Sequence, residues 1–391
     1  MKILIIGAGM YVTGRQDTGP GTVLSSLAQA SKVLPIEEVT VVATNPANAA
    51  SVTEAVARIN ATIGADLKVR YRNIAGDAAT DVPALCSETR YGCAVVSVPD
   101  HLHFAYASAL LHQGVHCLVV KPLTPTLAEA RNLERIRVEK GLYGAVEFHK
   151  RWDATNLWIR RTLEEKKLGK LLYFTVDYSQ KITIPLATFR GWSHRTNIFQ
   201  YLGVHYVDLI WFLTGFLPVR TMAVGTDGTL REQGIATWDS VHATVIWRHR
   251  ADHADWFVSQ FTTNWIDPAC TSAMSDQRYK VIGTQGRIEC DQKNRGLELV
   301  HQDLGIQQIN PYFSEYLPGV DGRLAYRGYG HESISQFIRD VLDIAAGRTS
   351  PAMLESSRPT LRQSLVSTAV IDAVNQSLAE RSAWKDIRDP F

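Results

Sequence analysis

The sequence predicts an α/β protein: a doubly wound parallel sheet at the N-terminal end, followed by an α+β domain with a large, mostly antiparallel open sheet. Three observations predict it. From Met1 to about Pro125, strand-like apolar runs take turns with amphipathic helical stretches. That alternation is the mark of βαβ units, which lay helices over both faces of a parallel sheet. Beyond LAEARNLERIRVEKG and LYGAVEF the texture changes to successive strands with no regular helices between them, as in an antiparallel sheet. Finally, 391 residues are many for one hydrophobic core, so two domains are expected, residues 1–125 and 126–391.

In chain order the first domain reads KILIIG, VLSSLAQASKV, EVTVVAT, NAASVTEAVARIN, LKVRY, CAVVSV, HFAYASALLHQG and HCLVV, strand and helix periods alternating. The second reads LLYFTVDY, VRTMAVGT, VHATVIWR, WFVSQFTTN, RYKVIGT, GRIEC and LELV, all strands. In VHATVIWR the residues Val241, Ala243, Val245 and Trp247 alternate with His242, Thr244, Ile246 and Arg248, and only Ile246 blurs a one-sided pattern. Towards the C-terminal end Ile334, Phe337, Ile338, Val341, Leu342 and Ala345 form an apolar stripe stopped by Gly347 and Pro351, and Leu361, Leu365, Ala369 and Ala373 begin another. Both stripes read as core-facing helices.

Composition narrows the function. With 45% hydrophobic and 20% charged residues the chain has the make-up of an ordinary globular protein. A formal charge of +2 supplies no field to attract nucleic acid or an anionic membrane. No stretch reads as a signal peptide or a bilayer-spanning segment, so a cytoplasmic protein is expected. The five cysteines, Cys86, Cys93, Cys117, Cys270 and Cys290, form no CxxC pair; reduced, buried thiols are expected, with no metal site.

The stretch GAGMYVTGRQDTGPG, Gly7 to Gly21, follows the first strand. Gly7 and Gly9 fit a turn that lets the backbone approach a dinucleotide pyrophosphate, but Val12 stands where a third glycine would let helix and strand pack closely. The residues through GRQDTGPGT imply a longer turn, with the helix starting near Thr22. The second strand ends in Thr44 and Asn45 rather than in the carboxylate that grips a ribose 2′-hydroxyl and repels a 2′-phosphate. NAD and NADP are both permitted, and Thr44 and Asn45 equally suit the start of the helix beyond Pro46.

The stretch SVPDHLHFAYASALLHQGVHCLVVKPLT resembles the core signature of the Gfo/Idh/MocA oxidoreductases, the glucose-fructose oxidoreductase and inositol dehydrogenase family. The likeness continues through VEFHKRWD, YLGVHYVDLIWFLTG, VIGTQGRIECD and GHESISQFI, nearly the whole chain. The resemblance implies an N-terminal Rossmann domain for NAD or NADP. It also implies a C-terminal sheet that closes the substrate site and builds a homo-oligomer, a dimer or tetramer, and a sugar, polyol or sugar-acid substrate. It implies a cofactor set of Gly7, Gly9, Met10, Tyr11, Thr44, Asn45, Ser97, Pro99, His101, Lys121 and Pro122.

In the same reading Lys121 matches the lysine of the family's Glu-Lys-Pro motif and His205 the general acid/base. Oxidising a secondary alcohol needs a base for the hydroxyl proton and a cation beside the oxygen, and histidine and lysine suit those tasks. Two positions depart from the pattern. Val120 replaces the glutamate before the lysine, and Tyr201 stands where many relatives have an aspartate before the histidine. On an α-helix Tyr201 shares a face with His205, where it either hydrogen-bonds substrate or packs as an aromatic. Asp208 reads as a structural acceptor. The cluster Glu147, His149, Lys150 and Arg151 lines the substrate pocket or is a solvated charge run, and Trp192, His194 and Asn197 are candidate sugar contacts. The leading expectation is an NAD(P)-dependent dehydrogenase or reductase acting on CH–OH groups. A redox-neutral, NAD-dependent glycoside-cleaving enzyme and a cofactor-binding sugar sensor of the same fold are the alternatives.

Overall fold

Five of the alternating apolar runs become strands β1 (Lys2–Ile6), β2 (Glu38–Ala43), β3 (Val69–Asn73), β4 (Cys93–Val96) and β5 (His116–Val120). In the computed structural model, which describes residues 1–15 and 19–391, a sixth strand, β6 (Gly144–Glu147), completes a sheet in the order β3-β2-β1-β4-β5-β6. Every pair is parallel. The central strands are mostly apolar on both faces because helices cover both: Ile3, Ile5, Val39, Val41, Cys93 and Val95 lie in one core with Val23, Leu24 and Leu27 of the Thr22–Ser31 helix. At the edge, β3 carries Arg70 and Arg72, paired with Glu38 and Glu88, charges that discourage another strand from adding there.

The chain divides into two units. The first contains Met1–Thr124, Ala128–Asp153 and Tyr312–Ser364; the second contains Pro125–Leu127, Ala154–Pro311 and Leu365–Phe391. This differs from the division expected at residues 125 and 126. LYGAVEF, assigned by its sequence position to the second domain, supplies β6, which pairs with β5 and is buried along its length. The stripe Ile334, Phe337, Ile338 and Val341, on the Tyr329–Ala345 helix, also belongs to the core of the parallel sheet. Local periodicity records which face of a helix is apolar, not which sheet the face meets.

The second unit is built on strands β7 (Leu171–Lys181), β8 (Leu217–Thr226), β9 (Ser240–Arg248), β10 (Trp256–Asp267), β11 (Ser275–Gly283) and β12 (Gly286–Asp291). Their order is β12-β11-β7-β10-β9-β8, with Lys385–Asp386 added beside β8. Neighbours are antiparallel except β7 and β10. In β9, Val241, Ala243, Val245 and Trp247 are buried and Ile246 is half-buried, as the alternation requires. LELV lies outside this sheet: Glu298–His301 pairs with Gly305–Gln308 as a separate hairpin that exposes Val300 and Ile306.

All five cysteines are free thiols. Cys93, Cys117 and Cys290 are buried, whereas Cys270 is exposed, contrary to the expectation of burial. Burial pushes the thiols of Cys93 and Cys117 up to about 12, which removes them from thiolate chemistry. Among the described residues no helix is long and apolar enough to cross a membrane.

Candidate active site

The strand order gathers one half of the expected site along a single edge. Gly7 follows β1, Thr44 and Asn45 follow β2, Ser97 to His101 follow β4, Lys121 and Pro122 follow β5, and His149 to Arg151 follow β6. In a parallel sheet these are all carboxyl ends. Because β1 lies between β2 and β4, the order reverses there and opens a crevice in which ligands of such sheets bind.

Gly7 has φ +106°, and a Cβ on it would lie 2.0 Å from the Ser97 carbonyl oxygen. The β1 and β4 loops cross that closely because the Ser97 amide donates to Ile6 of β1 at 2.8 Å, while the Gly7 amide is held from the other side by Val42 of β2, also at 2.8 Å. Gly9 caps a helical turn, Met10–Thr13, in an extended conformation, and a Cβ on it would meet nothing within 4 Å. The space beside Gly9 is therefore open to a pyrophosphate, and these residues fit a dinucleotide. Val12 is fully buried in the core. The close approach expected of a third glycine occurs at Gly21, whose Cβ would lie 2.2 Å from the Val12 oxygen and 2.5 Å from the Gly14 nitrogen. Gly14–Arg15 pairs with Gly19–Pro20, and the long helix then starts at Thr22, the expected position, preceded by the extra turn. Gln16, Asp17 and Thr18 of the loop lie outside the described residues.

At the end of β2, Thr44 and Asn45 are exposed. The Asn45 side-chain oxygen accepts from the Ala47 amide, and the Tyr71 hydroxyl donates to the Asn45 carbonyl at 2.6 Å. Asn45 thus shapes the turn into the Asn48–Ile63 helix.

Lys121 is half-buried and its ammonium has a pKa lowered to about 7, first by burial, against the opposing charges of Asp100 and Glu147. The Lys121–Pro122 peptide is cis. The turn is fastened by His103, whose Nδ1 lies 2.7 Å from the Pro122 oxygen and Nε2 2.9 Å from the Val98 oxygen. His103 therefore ties the β4 loop to the β5 loop. Burial lowers its pKa against the pull of Asp100 and the two carbonyls. His101 is the residue expected from the sequence; the buried pair Asp100 and His103 on either side of it was not expected. Their signal was the spacing within PDHLH, where a buried histidine and a buried carboxylate flank the named position.

After β6 the charged run is not a solvated one: His149, Lys150 and Arg151 are all buried. His149 Nδ1 lies 3.0 Å from the Glu147 carboxylate, and its ring packs against Phe313 and Tyr329 at 4.9 and 5.6 Å. Arg151 donates to the Gln363 side chain at 2.5 Å.

In the second unit His205 is buried on the Val204–Thr214 helix, its ring 6.5 Å from that of Tyr178 on β7. Tyr201 lies on a π-helical turn, Phe199–Gly203, so the α-helical spacing expected to align it with His205 is not kept. π-Turns inserted beside α-helices are frequent at functional sites. The Tyr201 ring meets Phe189 edge-on at 4.9 Å and lies 6.5 Å from Trp265, while Trp192 packs on Phe189 at 4.3 Å. Asn197 uses both ends of its amide within this unit: it donates to Asn375 at 2.8 Å and accepts from the Gln200 amide at 2.9 Å. Asp208 is buried on the same helix as His205.

A strand-order reversal and a glycine turn with open space beside it, at the carboxyl edge that also carries Lys121, define a dinucleotide-binding α/β protein. Residues 1–148 match the model described as "Oxidoreductase family, NAD-binding Rossmann fold", and residues 157–289 match the "GFO/IDH/MocA C-terminal domain". The chain belongs to the Gfo/Idh/MocA oxidoreductase family. A curated relative, scyllo-inositol 2-dehydrogenase (NADP(+)) IolW of Bacillus subtilis, is 28% identical over 152 residues, 39% of this chain. The chain thereby spans 41% of that relative's length. Among solved structures, myo-inositol 2-dehydrogenase of Lactobacillus plantarum has a TM-score of 0.70 at 13% identity and covers 99% of both chains. Scyllo-inositol dehydrogenase of Lactobacillus casei with bound cofactor NAD(H) and scyllo-inositol has a TM-score of 0.66 at 13% identity, over 99% of this chain and 98% of that one.

Proposed function

We propose that this chain is an NAD(P)-dependent oxidoreductase that interconverts a secondary alcohol and a ketone on a sugar, polyol or sugar acid. The observation that carries the reading is Lys121: a half-buried lysine with a pKa lowered to about 7, at the carboxyl end of β5 on the same sheet edge as the open glycine turn, with β4 between them. When bound, the nicotinamide accepts or supplies the hydride. The backbone at Gly7 and Gly9 would hold the pyrophosphate, with Met10, Tyr11, Ser97, Pro99, His101, Lys121 and Pro122 as the other cofactor residues and Thr44 and Asn45 those that would meet the adenosine ribose. Lys121 donates a hydrogen bond to the reacting oxygen and offsets its negative charge as the C–H bond breaks. His205 is assigned the exchange of the hydroxyl proton, a role for which imidazole is suited near pH 7.

A polyhydroxylated substrate is supported by the names of the similar inositol dehydrogenases and by the buried cations Lys150 and Arg151 beyond β6. The test is a panel of inositols, aldoses and sugar acids, each with NAD and NADP, followed by nicotinamide absorbance. Turnover of a polyol or sugar that disappears in Lys121→Ala supports the reading; no absorbance change with any member, despite cofactor binding, overturns it.

A further inference from the structure

The register of β5 and β6 sets Glu147 directly beside Val120. Partners in register on neighbouring strands project from the same face of the sheet. The Glu147 carboxylate thus stands at the level and on the face where residue 120 carries its side chain. It is 2% exposed, and it is held from two sides. Ser333 Oγ, on the Tyr329–Ala345 helix, donates to Oε1 at 2.7 Å, and His149 Nδ1 lies 3.0 Å from Oε2. A cavity of about 10 Å³, room for one water, is lined by Glu147, Tyr143, Ser333, Asp340 and Arg358.

A buried carboxylate is expensive unless a cation or donors compensate it. Two groups outside that cradle feel its charge: Lys121 after β5 and the Tyr11 hydroxyl of the Met10–Thr13 turn. Lys121 in turn feels Asp100 first and Glu147 second, and Asp100 also faces His103.

We propose that Glu147 is the positioning residue of Lys121: an anchored anion that keeps the ammonium charged and directed, supplied across the sheet from β6 because residue 120 is valine. In the motif that the chain resembles, a glutamate directly precedes the lysine. Here the same charge arrives from the neighbouring strand, and Ser333 and His149 fix it in place. The proposal rests on the reading of Lys121 as the residue that meets the substrate oxygen, but not on which substrate is used.

The test needs no substrate. The full-length protein, with and without NAD, is labelled by competitive acetylation with acetic anhydride across a pH series, and the titration of Lys121 is read by mass spectrometry. Glu147→Gln keeps the shape of the side chain and an acceptor for Ser333. The expected result is a downward shift of the Lys121 titration by about one pH unit, the scale of a lost neighbouring opposite charge. Val120→Glu combined with Glu147→Gln should return it towards the parental value. A packing role for Glu147 would instead change the melting temperature and leave the titration unmoved. A Lys121 titration in Glu147→Gln equal to the parent's overturns the proposal, as does a double variant no closer to the parent than the single one. An unchanged rate in Lys121→Ala would overturn the proposed function, a result distinct from either of these.

Discussion

Adding a single methyl group at Gly7 or at Gly9 should have opposite consequences, although the two glycines are neighbours in one turn. At Gly7 the new Cβ lies 2.0 Å from the Ser97 oxygen and 2.8 Å from its carbon, at φ +106°. An alanine in such a backbone region is strained by about 1–3 kcal/mol. Relieving the clash must also part the two loops, at the expense of the bonds from Gly7 to Val42 and from Ser97 to Ile6, each about 0.5–1.5 kcal/mol. Together Gly7→Ala should destabilise by about 2–6 kcal/mol, a large share of the ~5–15 kcal/mol typical of a folded protein.

At Gly9 the φ is −75° and nothing lies within 4 Å of the added Cβ. Gly9→Ala should leave stability unchanged or raise it by about 0.4–1 kcal/mol, by restricting the unfolded chain. The methyl group would, however, occupy the space assigned to the pyrophosphate, so NAD affinity should fall at least tenfold. Thermal unfolding and fluorescence titration with NAD and NADP measure both quantities. Parental cofactor affinity in a Gly9→Ala protein of parental stability would refute the placement of the pyrophosphate. A Gly7→Ala protein as stable as the parent would refute the loop crossing.

Thr44→Asp should shift preference towards NAD by repelling a 2′-phosphate; if both affinities stay where they were, residue 44 does not reach the ribose. Lys121→Ala and His205→Ala should each lower turnover by about two to four orders of magnitude, the range for acid/base groups, with cofactor affinity kept; a parental rate in either removes that residue from the chemistry. Tyr201→Phe keeps the packing against Phe189 and Trp265 and should change rate and stability little, whereas a large loss of rate at constant melting temperature would assign a function to the hydroxyl. The lowered pKa of Lys121 also makes a stability prediction. Between its folded value of about 7 and its ordinary 10.5 the unfolded chain binds more protons, so stability rises with pH across that window. Denaturant titrations of the parent and of Lys121→Met from pH 7 to 10 should show the parent gaining on the variant; parallel curves would refute the burial of the charge.

Much of the fold was written locally. The strands of the parallel sheet follow from short apolar runs, the antiparallel sheet from alternation such as that of β9, and the start of the long helix from the glycines before Thr22. Gly7 and Gly9 were legible because the end of the first strand could be counted from the apolar run before them, whereas Lys121 was singled out only by the likeness of its Lys-Pro pair to the family's motif. Residues that act through partners distant in the chain were not legible in this way. Gly21 reads as one more loop glycine until Val12 is seen against it, and His103 reads as a helix residue until the Val98 and Pro122 carbonyls are found at its ring nitrogens.

The sequence by itself determined the secondary structure, the dinucleotide turn and the family, because periodicity, glycine placement and motif spacing are properties of neighbouring residues. Only the tertiary structure decided that β6 and the Tyr329–Ala345 helix return to the parallel sheet, and that Tyr201 sits on a π-turn rather than one α-turn before His205. It alone set Glu147 beside position 120, because β-sheet register joins residues by hydrogen bonds between strands and not by their order in the chain.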